Sequence, residues 1–415
     1  NYKNSGVEWL GEIPEHWEVK KMKFIGNIYA GINGKKGDDF SKEYSDGIKS
    51  FIPFTNICNN IKIDDNQYQY VKISENENQN RVKKNDILFL MSSETLDDIA
   101  KNSIYLGENT ELYLNSFCKG FRISKHNVNA EFVNYLFLST TYRNYFSLVG
   151  RGFTRINLKQ EFINDAYALL PKLKEQTAIA NFLDNKTTKI DQAIAIKQQQ
   201  IALLQERRQI LIHKAVTRGL NENVKLKDSG VEWIGEIPEH WEVKKLFGLC
   251  NFIRGNSTFS KDELLCNGDY VALQYGKTYK VDEINDDYSF YVNEEFYKET
   301  QIVKYDDTIL ISTSETIEDL GHSVFYKRND IGLIGGEQIL LNPNNKKING
   351  HYLYFYSKLF SKELRKYATG IKVYRFNVNN LKTIYTAIPP LSEQKQIVEF
   401  IETATAKIAT AISLK

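Results

Sequence analysis

The sequence predicts an α+β fold in which two duplicated domains are joined and spaced by two long antiparallel helices, with approximate twofold symmetry. The first observation is an internal repeat: residues 5–21 read SGVEWLGEIPEHWEVKK and residues 229–245 read SGVEWIGEIPEHWEVKK, differing only at Leu10 and Ile234. The second is a long helical pattern over residues 175–217. The third is a series of short apolar segments bounded by polar residues, which is typical of strands. A tandem duplication linked by a helix accounts for all three observations.

The helical pattern spaces its apolar residues alternately by four and three positions, which places them on one stripe of a helix and favours a partner helix. A helix of about 43 residues is about 64 Å long, too long for the core of a compact domain. The second copy starts the same pattern after Pro389 and reaches Lys415, and the repeat predicts a native continuation of about 20 residues. The stripe comprises Leu183, Ile190, Ile194, Ile201, Leu204, Leu211 and Ala215.

We expect two recognition domains, residues 1–171 and 220–390, and two spacer helices, residues 172–219 and 391–415. Pro171 and Pro389 come just before the helices, where proline keeps the preceding residue extended and separates strand from helix. A helix is predicted over residues 131–145 of the first copy, and a glycine-punctuated loop over residues 150–157. Strands are predicted over residues 18–25, 51–57, 68–73, 86–91, 117–123 and 166–170.

Composition indicates a globular protein without an obvious charged partner. The 415 residues carry 54 Lys and Arg against 52 Asp and Glu, a formal charge of +2, although an even balance can hide a basic face opposite an acidic one. No signal peptide or apolar run of membrane length is recognisable, so we expect a cytoplasmic protein. The cysteines have no metal-ligand spacing and are expected to be reduced and structural; they are Cys58, Cys118, Cys250 and Cys266.

Motifs of catalysis are not recognisable. The chain has neither a G-x-x-x-x-G-K-[ST] phosphate loop nor an N/D-P-P-F/Y run of the kind that adenine methyltransferases use. His16 and His240 stand beside tryptophans in the repeat, which favours packing or a partner contact over a metal. We therefore expect no catalytic residue, cofactor or metal. Two repeated acidic groups are interpreted as helix N-caps and first-turn acids rather than metal ligands; they are Glu94, Asp97 and Asp98, and Glu315, Glu318 and Asp319.

The two copies match at their ends and diverge inside. Residues 35–80 and 259–299 share little beyond an apolar rhythm. One interpretation is a common scaffold that carries two different recognition surfaces; the alternative is neutral drift after duplication. Because drift would also have eroded the repeat at residues 5–21, we favour two different surfaces.

These features together resemble the specificity subunits of type I DNA restriction-modification systems. The resemblance rests on the two lead-in repeats, on the P-x-L-x-E-Q helix starts at Pro171 and Pro389, and on RRQILIHKAVTRGL at residues 207–220. It implies that each half reads one part of a bipartite, asymmetric sequence in double-stranded DNA, and that paired helices fix the spacer. It also implies two adenine methyltransferase subunits, which use S-adenosylmethionine, and two motor-endonuclease subunits as partners.

Candidate DNA-contacting residues lie on polar loops, because base edges are read by Arg, Asn, Gln, Ser and Thr, and phosphates by Lys, Arg and small polar groups. Arg155 and Arg375 are taken as equivalent, in loops that differ by two inserted residues. The alternative for these arginines is a salt bridge at the helix base, and for the others a solvated loop. The candidates are Asn33, Lys35, Lys36, Thr55, Asn56, Ser92, Ser93, Thr95, Thr154 and Arg155 in the first copy, and Asn256, Ser257, Gln274, Tyr275, Lys277, Thr313, Ser314, Thr316, Lys372, Tyr374 and Arg375 in the second.

Two other functions are weighed against DNA recognition. One is a coiled-coil adaptor that binds only proteins; the other is an enzyme that acts alone on DNA. In each case the duplicated segments near Trp9 and Trp233, and the helices, are the expected docking surfaces for two identical partners.

Overall fold

The computed structural model describes residues 1–74, 76–152 and 154–414. The chain folds into two compact units, unit 1 (residues 1–194) and unit 2 (residues 195–415), each of which contains one copy of the repeat. Both units mix short strands with helices, which confirms the predicted duplicated α+β fold. Phe153 of the predicted loop and Lys415 of the predicted second helix lie outside the described residues.

Unit 1 is built on two four-stranded sheets. Their strand orders are β10-β8-β12-β4 and β11-β6-β7-β5, and the pairs β1-β2, β13-β9 and β14-β3 complete the unit. Its strands are β1 (Tyr2–Asn4), β2 (Glu12–Pro14), β3 (Glu18–Lys21), β4 (Gly26–Ala30), β5 (Phe40–Ser41), β6 (Lys49–Ile52), β7 (Gln69–Val71), β8 (Ile87–Leu90), β9 (Ser92–Ser93), β10 (Asn102–Ile104), β11 (Leu112–Leu114), β12 (Cys118–Ile123), β13 (Ile156–Asn157) and β14 (Tyr167–Leu170). Its helices before the long helix are α1 (Phe54–Asn59), α2 (Ala130–Leu138), α3 (Thr140–Val149) and α4 (Gln160–Asp165).

The predicted buried strand of unit 1 is β8, and it is covered on both faces. Because side chains alternate across a strand, Ile87 and Phe89 pack with residues of α2 and α3, whereas Leu88 and Leu90 pack with residues of β6 and β11. This sheet therefore lies between the two helices and the second sheet, and its buried position anchors the turn that follows it.

The longest element is α5 (Leu173–Arg218), an α-helix of 46 residues, about 69 Å at 1.5 Å per residue. It confirms the predicted central helix. Apolar residues along its middle, Ile190, Ile194 and Leu203 among them, are exposed.

Unit 2 repeats the plan with one five-stranded sheet, ordered β18-β27-β23-β25-β20, and one four-stranded sheet, ordered β21-β19-β26-β22. The pairs β15-β16, β17-β29 and β24-β28 complete the unit. Its strands are β15 (Leu226–Asp228), β16 (Glu236–Pro238), β17 (Glu242–Lys245), β18 (Cys250–Arg254), β19 (Tyr270–Leu273), β20 (Glu283–Ile284), β21 (Tyr291–Val292), β22 (Ile302–Val303), β23 (Thr308–Ile311), β24 (Thr313–Ser314), β25 (Ser323–Tyr326), β26 (Gly332–Ile334), β27 (Gln338–Pro343), β28 (Tyr374–Arg375) and β29 (Tyr385–Ile388). Its helices are α6 (Tyr275–Thr278), α7 (Gly350–Leu364), α8 (Val378–Thr383) and α9 (Leu391–Ser413).

Within unit 2, α9 runs antiparallel to the last turns of α5. Glu393, near the start of α9, lies close to Gly219, just past the end of α5. Seven residues further on, Phe400 lines a cavity with Ile210 and Leu211 of α5. Ile397 and Ile401 of α9 share one apolar core with Ile212, Ala215 and Val216, so the two helices are packed together where they meet the domain.

Three predicted elements are wrong in detail. The strand expected over residues 18–25 ends at Lys21, because Met22–Phe24 form a 3-10 helix. The strand expected over residues 51–57 ends at Ile52, because Pro53 interrupts the ladder and becomes the N-cap of α1. The single helix expected over residues 131–145 is split into α2 and α3 by Ser139, whose backbone is extended. The four cysteines are free thiols, as expected. Cys118 and Cys250 are buried, Cys58 is partly buried and Cys266 is exposed.

A glutamate and a glutamine at the start of each long helix tie it to the lead-in and to the domain. Glu175 accepts hydrogen bonds from Trp17 Nε1 at 3.2 Å and pairs with His16 Nε2 at 2.9 Å; Glu393 does the same with Trp241 at 3.1 Å and His240 at 2.8 Å. This accounts for the duplicated E-H-W and E-Q sequences. Both histidines are exposed and bind the glutamate at the helix start, and packing or a partner contact stays the prediction for them.

The glutamines beside them bind backbone atoms. Gln176 Oε1 accepts from the Asn129 amide at 2.8 Å, and Gln176 Nε2 donates to the Pro171 carbonyl at 2.8 Å. Gln394 repeats both bonds, with Asn349 at 2.7 Å and Pro389 at 2.9 Å. Since these bonds involve main-chain atoms of the domain, they tolerate different side chains in the interior of each copy.

A buried aspartate at equivalent positions has different hydrogen-bond partners in the two copies. Asp86 is bound by Arg122 through Nε at 2.9 Å and Nη2 at 2.7 Å. Its counterpart Asp307 is equally buried but has an asparagine, Asn342, at the position of the arginine, with Nδ2 donating to Oδ1 at 2.8 Å. Burial without a cationic partner raises the pKa of Asp307 to about 6.

The free energy of unfolding of unit 2 should therefore fall as pH rises through 6. The folded pKa of Asp307 lies above the unfolded value of about 3.9, so protonation stabilises the folded state below about pH 4, and this contribution disappears above about pH 6. We expect Asp307→Asn, relative to the natural chain, to gain about 2–3 kcal/mol between pH 4 and pH 7.5. Chemical denaturation at both pH values measures this; parallel pH profiles for the two proteins would contradict it.

Candidate nucleic-acid interface

In each unit a two-residue ladder joins the predicted serine-threonine turn to the predicted glycine loop. Ser92 pairs with Asn157 and Ser93 with Ile156; in unit 2, Thr313 pairs with Arg375 and Ser314 with Tyr374. The turn and the loop are thus neighbours in both units, so the candidate residues predicted on them can contribute to one surface. We call this pair of segments the reading turn (residues 92–99 and 313–320) and the glycine loop (residues 151–157 and 369–375).

The ladder corrects the predicted alignment of the glycine loops. Each loop is closed by an antiparallel bridge six residues apart, Arg151 with Asn157 and Thr369 with Arg375. Gly152 and Gly370, both at positive φ, would each direct a Cβ to 2.0 Å from the carbonyl oxygen three residues later. The loops therefore have equal length and contain no insertion, so Arg375 occupies the place of Asn157, and Val373 that of Arg155. Matching the arginines by identity was wrong because the closing bridges, not side chains, set the register.

Both arginines are exposed all the same. The guanidinium of Arg155 lies 5.0 Å from the ring centroid of Phe117, itself an exposed aromatic. Among the described residues neither Arg155 nor Arg375 forms a salt bridge at the helix base. A stacked or free guanidinium at the surface remains able to bind a phosphate or a guanine edge.

The reading turns are hydrogen-bonded alike in the two units. Thr95 Oγ1 donates to Asp98 Oδ2 at 2.8 Å, and Thr316 Oγ1 donates to Asp319 Oδ2 at 2.6 Å. The helix N-caps predicted here are wrong, since residues 94–100 form turns and no helix; the ladder to the glycine loop holds the chain instead. Within the described ranges, no cluster of three His, Cys, Asp or Glu side chains could hold a metal ion.

A short helix lies beside each reading turn. In unit 1, Lys101 Nζ is 2.6 Å from Asp98 and 3.8 Å from Cys58 Sγ of α1, which also carries the exposed Thr55. In unit 2, burial raises the pKa of Tyr275 on α6, and the nearby Ser314 hydroxyl opposes that shift. The ring centroids of Tyr275 and Tyr279 are 5.6 Å apart in a stacked arrangement, so α1 and α6 place different side chains beside the two turns.

The remaining candidates fall into two groups. Exposed ones are Asn33, Lys36, Thr95, Thr154, Asn256, Thr316 and Lys372, and partly exposed ones are Ser92, Ser93, Gln274, Lys277, Thr313 and Tyr374. The other candidates are buried or have their polar groups bonded within the domain. Asn56 is buried, with its amide bound to the backbone of Asp64, and Lys35 is paired with Glu77 at 2.6 Å. Ser257 and Ser314 are buried.

The loop around Asn33 is held apart from this arrangement. The Asn33 backbone exchanges two hydrogen bonds with the Gln79 amide, at 3.1 and 2.8 Å. In the corresponding loop of unit 2, Asn256 donates its backbone N–H to Gln301 Oε1 at 2.7 Å. Asn33 and Asn256 themselves are exposed, but their loops are positioned by a different part of each domain.

A residue that sequence reasoning missed sits at the exit of each reading turn. Ala100 has φ +54° and Gly321 has φ +82°, and their backbone amides make the same bond, to Leu90 and Ile311 respectively, at 2.9 Å. A left-handed backbone is unfavourable for alanine, so unit 1 accepts strain where unit 2 uses glycine. Only the glycine could have been suspected from sequence.

Exchanging these two residues should change the free energy of unfolding in opposite directions. Gly321→Ala is expected to lower it by about 1 kcal/mol, because a Cβ is introduced at positive φ. Ala100→Gly should raise it by a few tenths of a kcal/mol, the relief of strain being reduced by loss of a buried methyl group. Chemical denaturation of both variants measures the pair; changes of the same sign would contradict the shared backbone geometry.

Comparison with known proteins identifies the family. A family model described as the type I restriction modification DNA specificity domain matches residues 14–206 and 238–414, one match beginning in each repeat. The chain belongs to the type I restriction-modification DNA specificity family. Sequence-specific DNA recognition in such a system is accordingly the function of this specificity subunit.

Its relatives extend over nearly the whole chain. A putative type I restriction enzyme MjaX specificity subunit from Methanocaldococcus jannaschii is 27% identical over 402 residues, covering 94% of this chain and 86% of the relative. The StySPI specificity subunit from Salmonella potsdam is 23% identical, covering 94% and 82%.

Solved structures share the fold at low sequence identity. A chain from a study of assembly and conformational transition of the type I R-M system superposes with a TM-score of 0.71 at 13% identity, covering 97% of this specificity subunit and 93% of that chain. The HsdS subunit from Thermoanaerobacter tengcongensis gives 0.53 at 14% identity, with coverage of 97% and 92%. Among the described helices, none combines the length and hydropathy of a transmembrane segment.

Proposed function

We propose that unit 1 and unit 2 each read one part of a bipartite, asymmetric DNA sequence, and that α5 with α9 keeps the two reading surfaces a set distance apart. The observation that supports this most is the repeated ladder of reading turn and glycine loop with different exposed side chains. Arg155 corresponds to Val373, and Asn157 to Arg375. Two backbone arrangements that are alike but carry different hydrogen-bond donors and acceptors can recognise two different base sequences.

The proposed DNA contacts are divided by chemistry. Arg155, Arg375 and Lys372 are assigned to guanine edges or phosphates. Thr95 and Thr316 are assigned to base edges as acceptors, because their hydroxyl hydrogens are donated to Asp98 and Asp319. Asn33, Lys36 and Asn256 are assigned to the flanking backbone. Asn56 and Lys35 are left out of this interface, because the domain itself uses their polar groups.

The division into recognition domains 1–171 and 220–390 and spacer helices 172–219 and 391–415 stays part of the proposal. Inserting one or more helical turns into both helices should lengthen the unspecific spacer between the half-sites, since each residue adds about 1.5 Å. An unchanged spacer would reject this role for the helices.

We further propose that this specificity subunit is non-catalytic and cytoplasmic, and that it docks two methyltransferase subunits and two motor-endonuclease subunits. The duplicated lead-in offers the same surface twice, as two identical partners require. In unit 1, Trp9 of that lead-in stacks on Tyr145 at 4.4 Å, and in unit 2 Trp233 lies 6.3 Å from Tyr356. The methyl transfer and the ATP-dependent cleavage would belong to the partners.

The test is a selection from random duplexes by the full chain assembled with its methyltransferase subunits. We expect two separate blocks of preferred bases with a constant gap, and affinity that falls steeply with salt because phosphate contacts release counterions. Binding without base preference would favour the alternative of a coiled-coil adaptor. Methylation or cleavage by the purified chain alone would favour an enzyme.

A further inference from the structure

Each reading turn is held from inside its domain by one arginine. Arg143 of α3 donates from Nη2 to the carbonyl oxygens of Asp97 at 2.7 Å and Ile99 at 2.6 Å. Arg365, directly after α7, donates from Nη2 to the carbonyl oxygen of Glu318, the counterpart of Asp97. The inward carbonyl groups of the turn are thereby bound, which leaves its outer side to Ser93 and Thr95 or to Thr316.

A serine of α3 in unit 1 and a serine of α7 in unit 2 each add a further bond to a backbone carbonyl group. Ser147 Oγ donates to the Leu96 carbonyl at 3.3 Å, and Ser361 Oγ donates to the Gly321 carbonyl at 2.6 Å. The serine follows the arginine in unit 1 and precedes it in unit 2. We call each arginine–serine pair, Arg143 with Ser147 and Arg365 with Ser361, a brace; the two braces are not copies of one sequence motif. In both units an arginine and a serine bind backbone carbonyl groups of this stretch, although the serine binds near its start in unit 1 and at its end in unit 2.

Within the described part of the chain, each of the two guanidinium groups has one buried N–H group without a partner, which lowers the stability of its domain. Arg143 Nη1 and Arg365 Nε are buried and have no hydrogen-bond partner among the described residues, and burial lowers the pKa of Arg143. Leaving a buried donor unpaired is destabilising, so stability of the domain alone does not explain an arginine here. A planar guanidinium can, however, hold neighbouring carbonyl groups in one fixed geometry, as no flexible ammonium can.

The backbone that leaves the turn is also constrained. Ala100 and Gly321 lie at positive φ. Ala100 directly follows the Ile99 carbonyl that Arg143 binds, and Gly321 comes three residues after the Glu318 carbonyl that Arg365 binds. Strained backbone persists only where surrounding contacts determine it, and it is concentrated at functional sites. The ladder, the positive φ and the arginine together restrict the conformations open to the turn.

We infer that Arg143 and Arg365 are positioning residues for DNA readout, each setting the base selectivity of its own half-site without touching DNA. This inference rests on the proposed function, since it takes the outer face of the turn as the reading surface. A pre-ordered turn loses little conformational entropy on binding, and its side chains stay within the small tolerance that base readout needs. Loosening the brace should reduce selectivity more than non-specific affinity.

The experiment uses the full chain assembled with its methyltransferase subunits and the two-block site found by selection. Arg143→Met should reduce discrimination against single mismatches about tenfold in one block, and Arg365→Met in the other, with binding to random duplex unchanged. Arg143→Lys should restore part of the selectivity. Arg81→Met is the matched control, because Arg81 is an exposed arginine of unit 1 whose Nη2 is 3.8 Å from Glu111. Hydrogen exchange of residues 93–99 should accelerate in Arg143→Met only.

Each outcome decides the question. Unchanged selectivity in both blocks, or equal loss in both blocks from one variant, overturns the inference while leaving the proposed function intact. If Arg143→Met unfolds unit 1, Ser147→Ala serves as the milder variant, with the same block expected to lose selectivity to a smaller degree and no loss counting against the inference. Failure of the natural chain to select two blocks defeats the proposed function itself.

Discussion

Replacing residues 25–165 with the corresponding segment of a relative of different specificity should change one half of the recognised sequence and leave the other half as it was. Two or three mismatched base pairs in a half-site each cost about 1–3 kcal/mol, so affinity for the original site should fall by about a hundredfold or more. The exchanged chain should bind a hybrid site, made of the relative's half-site and the unchanged half-site, with the affinity that the natural chain has for its own site. Selection from random duplexes measures both changes.

The structure explains why such a replacement should fold. The cut points leave intact the pairing of β3 with β14 and the contacts of Glu175 with His16 and Trp17. Gln176 reaches the exchanged segment through the backbone of Asn127 and Asn129, which any relative with the same fold provides. Two side-chain contacts, Lys62 and Tyr135 to Asp184, should be kept in the design.

The reciprocal exchange of residues 249–383 is the control. These residues are equivalent to 25–165, because Leu246 binds the Ile384 carbonyl as Met22 binds that of Ala166. It should alter the other half of the site. A change in both halves from either exchange would show that the units do not read DNA independently.

The second large effect is expected at the start of α9, where Gln394→Leu should lower the free energy of unfolding of unit 2 by about 4 kcal/mol. Gln394 is fully buried, and leucine would leave the Asn349 amide and the Pro389 carbonyl without their bonds at 2.7 and 2.9 Å. Each buried unpaired polar group costs about 1–3 kcal/mol. Chemical denaturation followed by the fluorescence of the buried Trp241 reports on this unit.

Gln396→Leu is the matched control, since Gln396 is exposed on the same helix and surface substitutions usually change stability by less than about 0.5 kcal/mol. Gln176→Leu should destabilise unit 1 in the same way. Equal stability of the Gln394 and Gln396 variants would contradict the role assigned to the E-Q pair.

The duplication and the long helix could be predicted because each is visible as a pattern in a continuous stretch of sequence. The repeat is nearly identical in the two copies, and the stripe of α5 follows a period that only a helix has. Strand β8 was predictable for a similar reason, as a short apolar run between polar residues. These features depend on neighbours in sequence.

The candidate surface was only partly predictable because it depends on contacts distant in sequence. The reading turn and the glycine loop are about 60 residues apart, and their ladder sets a register that a shared arginine could not reveal. Asn56 follows the rule for a base-reading side chain, yet its bonds to Asp64 bury it. Arg143 and Arg365 gave no signal, because an arginine in a helix is ordinary and its partners are backbone carbonyl groups.

The most direct measurement of the proposed bipartite reading is a map of methylated adenines in the source genome, with and without the gene for this chain. We expect methylation that depends on the chain at one motif made of two different short half-sites with a constant unspecific gap. A motif that is continuous, or half-sites whose separation varies from place to place, would contradict two unlike readers held at one distance.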